Sequence, residues 1–414
     1  MTKKTLLGFL LLSSSLFGLG FGGMGNTSAG LGNSGVALRK SAWGIYYNPA
    51  LLASDNRGKF GYSFGIDAGI EGLDKIINAF LDFQNSKDNN AHHPYQIDPK
   101  NTLTLNSQNG LVIQITGGTQ EISKLDPEGN PIKRADGEKT PQDTIEKRSP
   151  YGAFTMATFL SAHLLGNTKF KEQNSSNGGG GSGNGGSGNQ FEISGNLSGL
   201  ALLEIPIGWG WRFETAAGDI SVGTAIKYMK ATGLDLQFQA IADQSDELLP
   251  NLTFPEQFNS SDWFGIDLGL LYTPIEGLNI GFVAKNINSP SFDLYGKKFT
   301  INPQFRLGFS YEFAKYFALT FDSDLAPNRL LFENSPKTQI LGGGLLMDFK
   351  YIDLRFGVMG DMANKFKEGV IMTGGINLLG FLDLAIQASS SMFNVQGYKI
   401  PKFISLKVGG SFTF

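Results

Sequence analysis

The end of the chain alternates between apolar and polar residues with a period of two, which is the pattern of a strand with one apolar face. From Ile404 to the final Phe414 the sequence reads ISLKVGGSFTF, and only Gly410 interrupts the apolar face. A tilted strand of about 9–11 residues crosses an outer membrane. We therefore expect this segment, with Phe412 and Phe414, to be the strand that closes a β-barrel. The alternative is an ordinary strand of a soluble β-sandwich.

The same alternation recurs along the chain and predicts fourteen strands. Their predicted ranges are 59–67, 108–117, 151–164, 195–214, 218–242, 261–273, 277–286, 303–313, 317–324, 337–349, 351–359, 368–378, 381–390 and 402–414. The predicted fold class is therefore an all-β, transmembrane, antiparallel barrel over residues 59–414, since an even number of strands brings both ends of the barrel to one side. Twelve or sixteen strands remain open. The range 108–117 is also open to a place in a hairpin within a long first loop.

The links between predicted strands alternate in length. Short links lie near 274–277, 314–316, 349–351 and 378–380, and longer polar links span 287–302, 325–336, 360–367 and 391–401. Outer-membrane barrels have short periplasmic turns and long extracellular loops. Aromatic residues near the strand ends suit the two interfacial girdles of such a barrel: Tyr272, Tyr311, Phe313, Tyr316, Phe349 and Tyr351.

Charged residues fall on the polar face of the predicted strands. They are Asp267, Lys285, Arg306, Glu312, Asp353, Arg355, Asp383 and Lys407. An Arg or Lys that faced lipid at the membrane midplane would cost about 2–4 kcal/mol, so these side chains must face the lumen. There they can pair with one another or hold a segment inside the barrel.

Three further segments are predicted from local composition. Residues 1–20 form a signal peptide, with Lys3 and Lys4 before an apolar stretch and small residues at the cleavage region; a membrane anchor is the alternative. Residues 73–83 have helical spacing and predict a short helix in the first loop, which could act as a lid; ordinary loop packing is the alternative. Residues 174–190 are rich in Gly, Ser and Asn, which predicts a flexible loop.

Composition and motifs give no support for nucleic-acid binding, metal binding or enzyme activity. Charged residues make up 17% of the chain and the net charge is −3, so nothing favours nucleic-acid binding. The chain has no Cys, and its histidines, His92, His93 and His163, lack metal-ligand spacing and are expected to be solvated. The G-x-G-x-x-G match at Gly20–Gly25 lies at the signal-peptide junction rather than in a βαβ unit. We expect no enzyme, no metal and no cofactor.

Before the first predicted strand lies a Gly-rich and then aromatic segment, GLGNSGVALRKSAWGIYYNPALLA, from Gly30 to Ala53. Here the chain resembles the FadL family of outer-membrane transporters of long-chain fatty acids and related hydrophobic-compound channels. The resemblance rests on Gly30–Asn33, on Ile45–Ala50 and on Leu52–Ala53. Leu51 departs from the family, which has Gly after Asn-Pro-Ala. The same signature occurs in sister families of barrels associated with conjugal transfer and with type IX secretion.

The resemblance implies a barrel whose N-terminal segment, residues 21–58, folds into the lumen as a plug. Carried over to this chain, the plug and gating residues are Gly30, Gly32, Asn48, Pro49 and Ala50. The implied function is passive, plug-gated uptake of hydrophobic small molecules such as long-chain fatty acids, by a monomer in the outer membrane of a Gram-negative bacterium. Its partners would be outer-membrane lipids, the hydrophobic ligand and the barrel-assembly machinery. The alternative is a barrel that acts as a structural or docking component of a conjugation or secretion system.

Overall fold

Antiparallel strands make up most of the chain. The computed structural model describes residues 23–54, 57–70, 102–116, 119–123, 144–148, 153–174, 189–242, 249–253, 258–329, 337–349, 351–366, 369–395 and 398–414. The predicted signal peptide, the predicted helix at 73–83 and nearly all of the predicted loop at 174–190 lie outside these residues.

Short helices precede the first strand: α-helices at Asn26–Ala29 and Gly44–Tyr47, and a 3₁₀-helix at Pro49–Ala53. The strands are β1 (Lys59–Ile70), β2 (Thr102–Thr116), β3 (Thr119–Ser123), β4 (Thr144–Arg148), β5 (Ala153–Asn174), β6 (Asn189–Thr215), β7 (Gly218–Ala242), β8 (Leu249–Thr253), β9 (Ser260–Ile275), β10 (Leu278–Lys285), β11 (Ser291–Leu294), β12 (Lys297–Thr300), β13 (Gln304–Ala314), β14 (Phe317–Asp324), β15 (Asn328–Arg329), β16 (Lys337–Thr338), β17 (Ile340–Asp348), β18 (Ile352–Asp361), β19 (Ile371–Leu378), β20 (Leu382–Ser389), β21 (Met392–Val395), β22 (Tyr398–Pro401) and β23 (Phe403–Thr413).

Fourteen of these strands form a closed ring, and β8 extends it beside β7. The last strand, β23, pairs with β1, and Phe412 lies opposite Phe60 with the two ring centroids 5.1 Å apart. The prediction of a fourteen-strand barrel closed by the final strand is therefore confirmed. The predicted strand 108–117 belongs to the ring, since β2 pairs with both β1 and β5; it begins earlier than predicted, at Thr102.

Connections differ in length at the two ends of the barrel, except that the long link between β2 and β5, which carries the β3–β4 hairpin, lies at the end of the tight turns. At one end β9 and β10, β13 and β14, and β19 and β20 are joined by tight turns. Two of these turns contain a glycine with positive φ, Gly277 at 84° and Gly380 at 78°, a backbone conformation that favours glycine. At the other end, the long-loop end, three links carry hairpins of their own, β11–β12, β15–β16 and β21–β22.

The two faces of the wall differ as the alternation predicts. Large apolar side chains are exposed on the outer face; Phe64 is 62% exposed and Met372 63%. Outward apolar side chains suit the hydrocarbon core of a membrane, whereas an apolar band of this kind would be unfavourable in water. The aromatic residues at the tight-turn end are exposed as well, including Tyr311, Phe313, Tyr316, Phe349 and Tyr351. No helix in the described part of the chain is long and apolar enough to cross a membrane.

Candidate functional site

The N-terminal segment, residues 23–54, is buried throughout, except that Arg39 and Lys40 are half-buried. The segment contacts every strand of the ring through the inward-facing residues described below. It reaches β5, for example, where Tyr46 packs edge-on against Phe159 with ring centroids 5.2 Å apart. The candidate site is therefore the space that the ring encloses, together with the segment that fills it.

Asn48 shapes the segment and ties it to the wall. It is extended, with φ −162° and ψ 109°, as a residue before proline prefers to be, and Pro49 then begins the 3₁₀-helix. The Oδ1 atom of Asn48 accepts from Ala50 N at 3.0 Å, which caps this helix. Its Nδ2 atom donates to Val36 O at 2.9 Å and to Leu270 O at 3.0 Å on β9. One side chain thus links two parts of the segment to the barrel.

Glycines on the inner wall let the segment approach the strands closely. A Cβ added at Gly223 would lie 2.5 Å from Ala50 N, and one at Gly208 would lie 2.8 Å from Ile45 Cδ1. Similar contacts recur around the ring, at positions that we call the glycine seat: Gly61, Gly110, Gly208, Gly210, Gly223, Gly269, Gly281, Gly308, Gly342, Gly344, Gly357, Gly375 and Gly409. Only glycine leaves room for direct contact between the segment and the wall at these places.

The predicted glycines of the segment face this seat. Gly30 lies against Arg355 and Gly375, where an added Cβ would be 3.1 Å from Arg355 Cβ. Gly32 has φ +66°, and an added Cβ would be 2.7 Å from Gly343 N. Gly32 therefore packs against the wall backbone, and Gly30 packs against the Arg355 side chain and the Gly375 backbone.

Polar side chains of the wall complete the seat. Asp322 Oδ2 on β14 accepts from Gly35 N at 2.8 Å and Val36 N at 3.0 Å. Thr373 on β19 donates to Gly30 O and accepts from Gly32 N, each at 3.0 Å. These bonds satisfy backbone groups that no helix or strand of the segment pairs.

More polar contacts join the segment to β20 and to the first strand, β1. Gln387 Nε2 on β20 donates to Ala29 O at 2.7 Å and to Asn33 Oδ1 at 2.9 Å. On β1, the Ser63 hydroxyl donates to Asn26 Oδ1 at 2.6 Å. Asp322, Thr373 and Gln387 were not among the site residues predicted from sequence, although each lies at an inward position of an alternating strand. Their hydrogen-bond partners are distant in sequence, so only the fold reveals their role.

Two of the predicted inward arginines form buried ion pairs. Arg306 Nε lies 2.6 Å from Asp324 Oδ1, and Arg306 Nη1 donates to Asn33 O of the segment at 3.3 Å. Arg355 Nη1 lies 2.6 Å from Asp383 Oδ1, and its Nη2 atom lies 3.4 Å from Asp353. Buried charges are costly unless they are paired and hydrogen-bonded, so these pairs offset the cost of burying each arginine in the wall.

A second group of charges lies between β6 and β10. Lys227 Nζ lies 2.9 Å from Glu204 Oε1 and 3.1 Å from Asp267 Oδ2, and all three are largely buried. Next to them, Lys285 Nζ stands 3.6 Å from the centre of the Tyr46 ring, at the surface of the segment. We call Glu204, Lys227 and Asp267 the ionic layer. Asp267 and Lys285 were predicted from sequence as lumen-facing charges, whereas Glu204 and Lys227 were not.

The remaining predicted charges lie apart from these groups. Lys407 donates to Gln108 Oε1 at 3.0 Å. Glu312 lies at the tight-turn end, 3.4 Å from Lys40 of the segment, which also lies 3.1 Å from Asp348. Burial lowers the pKa of Lys40, but its bonds and charge contacts with Asp348 and Glu312 outweigh this, so its pKa lies above the usual value. A polar cavity of about 340 Å³ opens beside Lys40.

His163 is not solvated, and the expectation that it would be is wrong. Its side chain is buried, and Nδ1 lies 3.0 Å from Asn106 Oδ1 on the neighbouring strand. Inward side chains near the long-loop end are shielded from water by other parts of the protein. The alternation within a single strand cannot reveal this burial. His92 and His93 lie outside the described residues, among which no group of three His, Cys, Asp or Glu could hold a metal ion.

Apolar side chains line the inner wall nearer the long-loop end. One cluster joins Leu200 and Leu202 of β6 and Met229 and Ala231 of β7 to the β11–β12 hairpin. Across the lumen, a second cluster consists of Ile340, Met359, Ile371 and Phe403. From the long-loop end inward, the wall at β6 and β7 is thus apolar, then ionic, then shaped by glycine.

Comparisons with solved structures find proteins of similar fold. The TodX monoaromatic hydrocarbon channel deltaS2 mutant is 11% identical, with 94% of this chain and 98% of that chain covered and a TM-score of 0.51. The toluene transporter TodX of Pseudomonas putida is 11% identical over 95% of this chain and 99% of its own, with a TM-score of 0.47. A FadL homologue of Pseudomonas aeruginosa is 8% identical over 96% and 99%, with a TM-score of 0.31. At these identities the likeness shows the fold alone.

Comparisons of sequence are more specific about the family. No curated protein matches the chain. The family model described as "F plasmid transfer operon, TraF, protein" matches residues 45–324, which is more than half of the chain. This agrees with the predicted resemblance to FadL-like barrels and their conjugal-transfer sister family. The match begins at Ile45, within the segment that carries the resemblance, and the chain, a fourteen-strand β-barrel, belongs to this TraF family.

Proposed function

We propose that the protein is an outer-membrane channel for small hydrophobic molecules and that the N-terminal segment is the plug that gates it. The observation that carries this proposal is the apolar lining of the lumen near the long-loop end. A molecule that enters from the long-loop end meets apolar side chains before it reaches the segment. Solved channels of the same architecture, described as monoaromatic hydrocarbon channels, fit this proposal.

In this mechanism transport is passive and follows a gradient. The ligand, such as a long-chain fatty acid, is captured by the apolar lining, and the plug shifts to open a path past the glycine seat. The wall contacts of Asn48 oppose this shift, since they join the segment to β9. The barrel would lie in the outer membrane of a Gram-negative bacterium, exported through a cleaved signal peptide, with its tight turns in the periplasm.

The test compares uptake of a radiolabelled long-chain fatty acid and of toluene in cells that contain the wild-type chain, the Asn48→Ala variant or no copy. Asn48→Ala removes three hydrogen bonds, so we expect a looser plug, faster proteolysis within the segment and a change in uptake. Asn109→Ala is the matched control, since the Asn109 amide bonds to Ser107 on its own strand. Uptake that does not depend on the chain would overturn the channel. Chain-dependent uptake that Asn48→Ala leaves unchanged would overturn the gating.

A second candidate is a structural or docking component of a conjugation system. The family description, which names a transfer operon, favours it, as does a segment that contacts every strand of the ring. In this case the barrel would present its loops or turns to partner proteins and carry no small molecules. Crosslinking in intact cells distinguishes the two, since a docking barrel gives reproducible partner adducts and shows no chain-dependent uptake.

A further inference from the structure

The β11–β12 hairpin covers an apolar part of the inner wall at the long-loop end. Its Phe292 side chain is fully buried, and Leu294 and the following Ile301 are buried as well. Phe299 stacks on Phe292 with ring centroids 6.4 Å apart. These side chains pack on the inward residues of β6 and β7, which are Leu200, Leu202, Met229 and Ala231. The hairpin thus occupies an apolar site in the lumen with its own side chains.

Polar contacts between the hairpin and the wall lie at its edge. Asp293 N donates to Ser261 Oγ on β9 at 3.2 Å, and the Tyr295 hydroxyl donates to Gly233 O on β7 at 3.3 Å. The centre of the contact is made by apolar side chains. Apolar packing is not directional, so an apolar molecule of similar volume can replace these side chains on the wall.

The ionic layer forms the floor of this site. Leu202 and Glu204 are two residues apart on β6, and Met229 and Lys227 are two apart on β7, which corresponds to about 7 Å along each strand. Lys227 bonds to both carboxylates of the layer, and Asp267 also accepts from Asn286 N at 2.7 Å. A ligand above this floor meets carboxylates that are already paired. With Lys285 beside them, these charges balance, so a charged headgroup would lose its hydration there without gaining an unpaired partner. An uncharged molecule would not meet this cost.

We propose that the β11–β12 hairpin occupies a binding site for an uncharged, hydrocarbon-like molecule and that the hairpin and the ligand exclude each other. This inference rests on the proposed channel function and narrows its ligand class to uncharged molecules, which excludes ionised fatty acids. The hairpin then acts as an internal lid above the ionic layer, distinct from the N-terminal segment below it.

Disulfide locking tests the lid, because the chain has no cysteine of its own. In Ser261→Cys/Asp293→Cys, the two residues are already in contact, since Asp293 N lies 3.2 Å from Ser261 Oγ, and a disulfide between them would tie the hairpin to β9. Loss of both free thiols on oxidation verifies that the bond has formed. In the control, Ser291→Cys/Thr300→Cys, the residues face each other within the hairpin, with their hydroxyls 3.0 Å apart. Its disulfide leaves the hairpin free to move from the wall. Unboiled gel migration of each variant, reduced and oxidised, verifies the folded barrel.

Naphthalene is the neutral probe and palmitate the anionic one, and binding to purified protein in detergent is measured by equilibrium dialysis. We expect oxidation of Ser261→Cys/Asp293→Cys to weaken naphthalene binding at least tenfold, with recovery on reduction and no change in the control. We also expect palmitate to bind at least tenfold more weakly than naphthalene to the reduced protein. Equal naphthalene binding in the two redox states, no binding in either, or an equal loss in the control would overturn the lid. Palmitate binding as tight as naphthalene binding would overturn the ligand class.

The same variants separate this inference from the channel proposal. Naphthalene binding that responds to the lock, in a protein that supports no uptake in cells, would leave the lid standing and overturn the channel. Toluene uptake that continues unchanged through the oxidised, locked variant would leave the channel standing and overturn the lid.

Discussion

In the described part of the chain, two segments lie in the lumen and both pack apolar side chains on the wall, but the N-terminal segment is also held by many hydrogen bonds from its backbone. The N-terminal segment lies on the glycine seat and bonds through its backbone to side chains such as Asp322 and Thr373. The β11–β12 hairpin lies on β6 and β7 through buried apolar side chains such as Phe292. The first segment contacts all fourteen strands of the ring, whereas the hairpin cluster involves one side of it.

This difference has a consequence for motion. Backbone hydrogen bonds are directional, and a buried donor or acceptor that loses its partner costs about 1–3 kcal/mol, so the segment must leave its seat as a unit. Apolar contacts permit many positions, so the hairpin can lift with its local structure intact. We expect the hairpin to open more readily than the segment, and the following substitutions test this.

The largest effect is expected from Phe292→Ala. Removing a fully buried Phe side chain costs about 3–5 kcal/mol, from lost burial and from the cavity that remains. We expect this loss of stability to be confined to the hairpin. Hydrogen exchange of residues 291–301 measures it. The exposed Lys298→Ala in the same hairpin is the control. Equally faster exchange in the N-terminal segment would show that the two inserts open together.

A similar but more widely spread effect is expected from Gly223→Val. The new side chain would overlap the backbone at Pro49 and Ala50, and overpacking of this kind costs about 3 kcal/mol. We expect release of the whole segment, seen as protease cleavage within residues 23–54 in the folded barrel. Gly374→Val on β19 is the control, because among the described residues beyond its chain neighbours an added Cβ would have only Arg355 O within 4 Å, at 3.7 Å. If the segment of the Gly223→Val variant resisted protease as well as that of the wild-type protein, the glycine seat would not be what holds the segment.

The smallest effect is expected from Lys40→Met at the tight-turn end. Lys40 and its partners Glu312 and Asp348 are each about one-third exposed, so the pairs contribute under about 1 kcal/mol. The partners raise the pKa of Lys40 above its usual 10.5. The contribution is therefore complete below about pH 10.5 and is lost as the pH rises through the raised pKa. Thermal unfolding against pH measures it, and Lys40→Arg should behave as wild type at neutral pH. A loss of several kcal/mol would show a stronger anchor there.

Much of the barrel wall could be predicted from sequence because a membrane strand is a local pattern. All fourteen predicted ranges overlap strands of the ring, although β2, β5 and β6 extend well beyond theirs. The inward side of Arg306, Arg355 and Lys407 followed from the period of two and from the cost of charge in lipid. His163 shows the limit of this reasoning, since whether an inward side chain meets water depends on what fills the lumen.

The sequence by itself determined the strands, the faces of each strand and the difference between tight turns and long loops. Alternation and turn residues act within a few positions of the chain, so these features need no knowledge of distant contacts. Only the tertiary structure decided that Asp322 binds the backbone at Gly35, that Lys227 joins Glu204 to Asp267, and that Phe292 covers Leu202. Those contacts depend on ring closure and strand register, which bring together residues that no local pattern relates.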